Sequence, residues 1–344
     1  MNIAPRGLAP QAFTSMFRSM TSSERLLRIG CASFLLLATC HAPSGALPDA
    51  AGGVTEADVR RELTVLAADS MEGRGTATAG GARAARFIAA ELARAGVAPA
   101  GDSGYFQRVP TRHGVAVNVV GIVRGSAPAR RDSAVVVAAH YDNLGIGRPV
   151  AGDSIYNGAD DDASGVVTVL QVARALARTK PRRTLIFLLT TGEEVGLLGT
   201  SRYLAAPVVP LDRTVAELEI EMIGRPDSLA GGPGHAWLTG YDRSTMGDML
   251  KAAGSPIVPD PRPDQHFFER SDNIAFALRG IPAHTLSSFN LHADYHTPAD
   301  DVTRVDFPHM TAVVRAAVAA ARELANGAAP VWKPGGRPAP GSEQ

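Results

Sequence analysis

AVVVAAHYD, residues 134–142, decides the fold of this chain: six consecutive apolar residues run straight into a histidine and an aspartate. A run apolar at every position cannot keep one face in water. It reads as a strand buried on both faces, the kind found in parallel sheets. Similar β-branched runs occur at Val117–Val123, Thr184–Leu189 and Val215–Ile223. Helical stretches separate them, clearest at Gly165–Ala177, where Val166, Val169, Leu170, Val172 and Ala173 form an apolar face. Strands alternating with helices in this way predict an α/β fold: a mostly parallel mixed sheet with helices on both faces.

Upstream, Thr55 caps a helix with Glu56 and Asp58 in its first turn and Val59, Leu63 and Leu66 on one side. The loop DSMEGRGTATAGG leads to a second helix at about 81–95, with Ala84, Phe87, Ile88 and Leu92 on its apolar face. A final helix is expected from Phe307 to Leu324. The organisation read from these features is a leader over 1–40, a linker over 41–54, one domain over 55–326 and a disordered Pro/Gly-rich tail over 327–344.

Composition bounds the function. The 344 residues are 45% hydrophobic and carry 34 basic and 34 acidic side chains, an ordinary globular balance. No basic block offers a footing for nucleic acid or an anionic membrane surface. Arg25 and Arg28 precede the apolar stretch Ile29–Thr39, too short to span a bilayer and suited to a signal peptide, with Met16 or Met20 as alternative starts. Leu37-Ala38-Thr39-Cys40 resembles a lipoprotein processing box, which makes a lipid anchor at Cys40 one reading and cleavage near Ala46 the other. Either way the protein is expected to be exported, to the periplasm, the cell envelope or the medium. Both cysteines, Cys31 and Cys40, lie in that leader, so the body has no thiolate for catalysis or metal binding.

Polar residues with ligand chemistry follow several apolar runs. His140 ends VVVAA, Glu193-Glu194 follow LIFLLTTG, and Glu221 follows AELEI. In open α/β sheets such strand ends gather ligands. Alone, His140 reads as a buried, hydrogen-bonded histidine; Asp142 shifts that reading, because a ligating imidazole commonly gives its other N–H to a carboxylate. Asp160-Asp161-Asp162 read as a polar turn capping a helix, yet three crowded carboxylates repel one another and a cation relieves that repulsion. Glu193-Glu194 fit the first turn of a helix, or a ligand next to a general base. Glu217, Glu219 and Glu221 share a strand face, of which only the last should reach the site. His292 and His296 compete; Pro298 argues against a helix there, which favours His296. His113, His235, His266, His284 and His309 read as structural or exposed. H-E-x-x-H, G-x-S-x-G and phosphate-loop signatures are absent from the sequence.

Together AAHYD, NGADDDASG, LLTTGEEVG, IEMIGR and DYHTPAD, with LAADSMEGRGTATAGG and SDNIAFALRGIPA, resemble family twenty-eight of the metallopeptidases, the co-catalytic zinc aminopeptidases related to glutamate carboxypeptidases and glutaminyl cyclases. The resemblance covers roughly residues 55–325. It implies a three-layer zinc-exopeptidase fold and two Zn2+ per chain. His140 and Glu221 would hold one ion, Glu194 and His296 the other, and Asp161 would bridge them. Glu193 would be the general base and acid, and Asp142 would orient His140. Glu221 stands where the family commonly has Asp, and Asn273 where many relatives have His. The gap from Phe106 to Val117 is too short for the extra domain that larger relatives insert. The implied partner is a peptide with a free N-terminus, and a monomer is favoured. Glutaminyl cyclase-like acyl transfer, carboxypeptidase or dipeptidase action, and a catalytically dead binding module are the alternatives.

Overall fold

A computed structural model describes residues 53–339. The leader, its cleavage and lipidation readings, and most of the linker lie outside the described residues. The chain then runs α1 (Glu56–Leu66), α2 (Ala79–Ala95), β1 (Ala98–Pro99), β2 (Phe106–Thr111), β3 (Gly114–Val123), β4 (Ala134–His140), β5 (Gly145–Val150), β6 (Asp153–Tyr156), α3 (Gly165–Leu176), β7 (Thr184–Thr190), α4 (Leu198–Ala205), β8 (Thr214–Ile220), β9 (Ala236–Leu238), α5 (Met246–Ala252), β10 (Ile257–Pro259), α6 (Asn273–Leu278), β11 (Ala283–Ser287) and α7 (Phe307–Asn326). Among the described residues no helix is long and apolar enough to cross a membrane.

The main sheet is mixed, in the order β1-β3-β7-β4-β8-β11-β9-β10, with β2 also paired to β3. Its centre is parallel: β4 lies between β7 and β8, and β11 continues the same direction beside β8. The β1, β2 and β3 edge is antiparallel. The hairpin β2–β3 occupies the short gap in which no further domain was expected. All seven residues of β4 and of β7 are buried, as continuous apolar runs require.

Helices α1, α2, α3 and α7 pack on one another over one face, through a core that includes Leu63, Ile88, Leu170 and Val314. Helices α4 and α6 cover the other, Tyr203 and Phe276 packing with Val136, Ile186, Leu188 and Ala283 of the sheet. Thr55 does cap α1, its hydroxyl accepting from the Asp58 N–H.

One boundary is corrected. Residues 327–339, read as disordered from their Pro/Gly content, are seated on the domain. The Trp332 indole donates to the Gly280 carbonyl (2.9 Å), and Val331 pairs with Thr245 through backbone and hydroxyl contacts. Composition reports the lack of a helix or sheet; it does not report a strap held by one aromatic and a few backbone hydrogen bonds.

His284, on β11, is wholly buried. Its Nδ1 donates to the Thr239 carbonyl at 2.7 Å, while its Nε2 accepts from the Ser244 hydroxyl at 2.7 Å. Burial lowers its pKa from 6.5 to about 4. The folded state therefore binds this proton less readily than the unfolded chain. The neutral imidazole's contribution to stability is complete above about pH 6.5 and is lost as pH falls towards 4, up to about 3 kcal/mol. Urea unfolding of the metal-free protein at pH 6.5 and 4.5 should show this loss, and His284→Asn should lack that component. Equal pH slopes for the two proteins would refute it.

Candidate metal centre

The ends of β4, β7 and β8 converge where parallel strands deliver their last residues. His140 is the last residue of β4, opposite Thr190 on β7. Past Thr190, Gly192 turns the chain with φ +77, and Glu193 and Glu194 follow. Glu221 comes one residue after β8, and its N–H donates to the Leu286 carbonyl of β11. Asp161 comes from the turn Ala159–Ser164, just ahead of α3, and His296 from the loop after β11.

These side chains meet. His140, Asp161 and Glu221 bring ligand atoms within 4.8 Å of one another, and Asp161, Glu194 and His296 form a second such group. Asp161 is common to both. His140 Nε2 lies 3.3 Å from Asp161 Oδ1, and His296 Nε2 lies 3.0 Å from Asp161 Oδ2 and 3.1 Å from Glu194 Oε2.

The electrostatics match the geometry. Burial opposes ionisation of Asp161, but its contacts with His140 and His296 hold the carboxyl below its ordinary value. Burial likewise works against the His296 imidazolium, yet Asp161 and Glu194 raise that pKa to about 10. Burial raises Glu221 to about 7 and Glu193 well above a usual carboxyl. The cluster is thus an excess of carboxylates arranged to stabilise positive charge. His140 Nε2 and Asp161 Oδ2 are buried, and neither is aligned with a hydrogen-bond partner. Buried ligand atoms held in close contact but in poor hydrogen-bond geometry are costly unless a cation takes them. Two imidazoles and three carboxylates without thiolate are a donor set that fits zinc.

Other residues fix the ligands. Of the three consecutive aspartates only Asp161 joins the groups. Asp160 accepts from the Gly224 N–H at 2.6 Å and meets His292 Nε2 at 3.0 Å; Asp162 accepts from the Gly165 and Met222 N–H groups. His292 therefore serves Asp160, and His296 alone reaches the centre. Gly158 (φ +55) is required because a Cβ there would sit 2.1 Å from the Asp161 carbonyl oxygen. Glu217 and Glu219 are wholly buried behind the centre, beneath α6, and do not reach it.

The role expected of Asp142 is corrected. His140 Nδ1 meets the Asp142 backbone carbonyl (3.1 Å), not its carboxylate. That carboxylate instead accepts from the Thr76 hydroxyl (2.7 Å) and the Glu193 N–H (3.3 Å), tying the Glu193 turn to β4. Residue spacing cannot separate these, because main chain and side chain of the same residue are both in reach.

Four supporting residues escaped the sequence reading. Arg74 is fully buried and donates to the carbonyls of Leu66, Tyr141, Asn157 and Gly158. Asn143 donates to the Asp161 carbonyl (2.6 Å) and contacts Glu194 (3.3 Å). Asp300 accepts from the N–H groups of Asp160 and Asp161. Asp272 accepts from the Thr190 hydroxyl at 2.6 Å. Asp300, Arg74 and Asp272 lay inside quoted motifs, and that was their signal. Asn273, in the departure noted above, bonds Phe268 and Thr285 and stays out of the ligand groups.

The centre opens into a cavity of about 50 Å³ lined by Asp161, Glu193, Glu194, Glu221 and an aromatic wall. Trp237 stacks on Phe267 (5.1 Å), Phe267 meets Phe289 edge-on (5.9 Å), and Tyr295 stacks on His296 (3.8 Å). The segment 225–270 contributes Trp237, Thr239, Phe267 and Arg270 to the lining. On the other side of Glu194 a wider groove of about 640 Å³ runs between Thr76, Pro110, Leu144 and Val195.

Known proteins are similar to this chain to different extents. The vacuolar membrane protease of Lachancea thermotolerans is 30% identical over 188 residues, covering 53% of this chain and 18% of that protein. A probable leucine aminopeptidase 2 of Aspergillus fumigatus is 28% identical over 213 residues, covering 55% of this chain and 40% of its own length. The chain thus spans less than half the length of either relative. A solved zinc aminopeptidase from Bacillus subtilis has the same fold, with a TM-score of 0.65 at 14% identity over 80% of this chain and 96% of that one. The model of peptidase family M28 matches residues 118–321, more than half of the sequence and the whole span from His140 to His296. The chain belongs to peptidase family M28.

Proposed function

We propose that this chain is an exported zinc-dependent exopeptidase, an aminopeptidase that removes N-terminal residues from peptides. The carrying observation is the pair of ligand groups that share Asp161, set beside Glu193 in a cavity closed on one side by aromatic rings. His140 and Glu221 would hold one zinc, Glu194 and His296 the second, with Asp161 between them. Zinc bound there would polarise the scissile carbonyl and ease deprotonation of water near neutral pH.

The chain's own residues do the rest. Glu193, made more basic by burial, accepts the proton of the attacking water and passes it to the departing amine as the C–N bond breaks. Asp142 holds the Glu193 N–H so that the carboxylate keeps its place. The N-terminal residue would enter at the narrow cavity beside Glu193, and the wide groove beyond Glu194 would take the remainder of the peptide. The presence of both ligand groups favours two ions over the single ion of a cyclase. Export rests on the Arg25–Thr39 leader pattern.

Dialysis against a chelator is expected to abolish hydrolysis of aminoacyl-nitroanilides, and zinc to restore it at two ions per chain by mass spectrometry. N-acetylated substrates should resist cleavage. Zinc at a hundredfold excess over its Kd should add about 2.7 kcal/mol to stability for each of the two sites. Full turnover after chelation would sink the assignment.

A further inference from the structure

We propose that Arg270 is a specificity-determining residue that receives a carboxylate carried by the substrate residue in the narrow cavity. This rests on the peptidase reading of that cavity. Arg270 is the one cationic residue in the lining, which is otherwise acidic at the ligand groups and aromatic opposite them. It follows the turn Phe267–Glu269, and its guanidinium lies over the Phe267 ring, 5.1 Å from the centroid. It is exposed.

Its neighbours show what is unusual about it. Arg243 pairs with Glu269 (3.1 Å), Arg262 with Asp227, and Arg225 with Asp294 (2.7 Å). Arg270 forms no ion pair among the described residues, and the acid next to it in sequence, Glu269, is already taken by Arg243. A planar guanidinium braced on an aromatic face keeps its donor fork free for a carboxylate, which it binds through two parallel hydrogen bonds. The rest of that lining offers aromatic rings, hydroxyls and carboxylates committed to the metal groups, so Arg270 is the side chain there that can pair with an anionic substrate group.

The carboxylate has two possible sources. It is the side chain of an acidic N-terminal residue, which keeps aminopeptidase polarity. Otherwise it is the terminal carboxylate of a dipeptide or peptide whose last residue fills the cavity.

Calorimetry on zinc-loaded Glu193→Gln protein, which holds ligands without turning them over, separates these sources. Glutamyl-leucinamide is compared with glutaminyl-leucinamide, and leucyl-leucine with leucyl-leucinamide. One charged ligand should bind roughly tenfold or more tighter than its neutral counterpart, and the pair showing this ratio identifies the source. Adding Arg270→Met should collapse the ratio towards one, and Arg270→Lys should keep part of it. Ratios near one in both pairs, or a ratio that survives Arg270→Met, overturn the proposal. Failure of the peptidase reading shows separately, as zinc-loaded wild-type protein leaving every aminoacyl-nitroanilide and dipeptide intact.

Discussion

Glutamine in place of Glu193 is expected to lower kcat for aminoacyl-nitroanilides by about 10²–10⁴-fold, the usual worth of a positioned general base. Glutamine has the same shape and fits the same space, but it cannot accept a proton. The Asp142 bond to the residue 193 N–H is a main-chain contact, so the turn should persist. Glu193 is not a member of either ligand group, so two zinc ions per chain should remain by mass spectrometry. Glu194→Gln makes the contrast: it weakens the Asp161–Glu194–His296 group, and the expected first effect is loss of metal. Undiminished turnover by a fully loaded Glu193→Gln protein would remove the proton-transfer role.

Replacing Arg74 by Met is expected to be the most damaging change to stability, about 4 kcal/mol or more. Three buried carbonyls, of Leu66, Tyr141 and Asn157, lose their donor at once, while Gly158 keeps the Ala163 N–H (3.2 Å), and each unsatisfied group costs about 1–3 kcal/mol. Two of the carbonyls that Arg74 holds, Asn157 and Gly158, belong to the segment that delivers Asp161, and a third, Tyr141, adjoins His140. Zinc affinity should therefore fall along with stability. Arg74→Lys keeps the charge but cannot reach four carbonyls from one point, so only part of the loss should be recovered. Urea unfolding with and without zinc measures both effects. A midpoint within about 1 kcal/mol of wild type would contradict this account.

Strand positions and the buried character of β4 and β7 followed from runs of apolar residues, because such runs have no other stable placement. The seven candidate site residues stood out for a related reason: each stands where an apolar run stops, or in a phrase dense with carboxylates. Supporting residues were less visible. Arg74 looks like a solvated surface arginine until the carbonyls around it are known, and Asp300 acts through backbone N–H groups that leave no trace in side-chain pattern.

By itself, then, the sequence determined the alternation of strands and helices, the edge at which polar residues accumulate, and the residue types available there. These depend on local periodicity and side-chain chemistry. Only the tertiary structure decided which aspartate of three enters the centre, that the Asp142 carbonyl rather than its carboxylate meets His140, that His292 turns to Asp160, and that the strap around Trp332 is ordered. Each of those outcomes depends on which groups from distant segments come within about 3 Å, the range over which a hydrogen bond or ion pair forms.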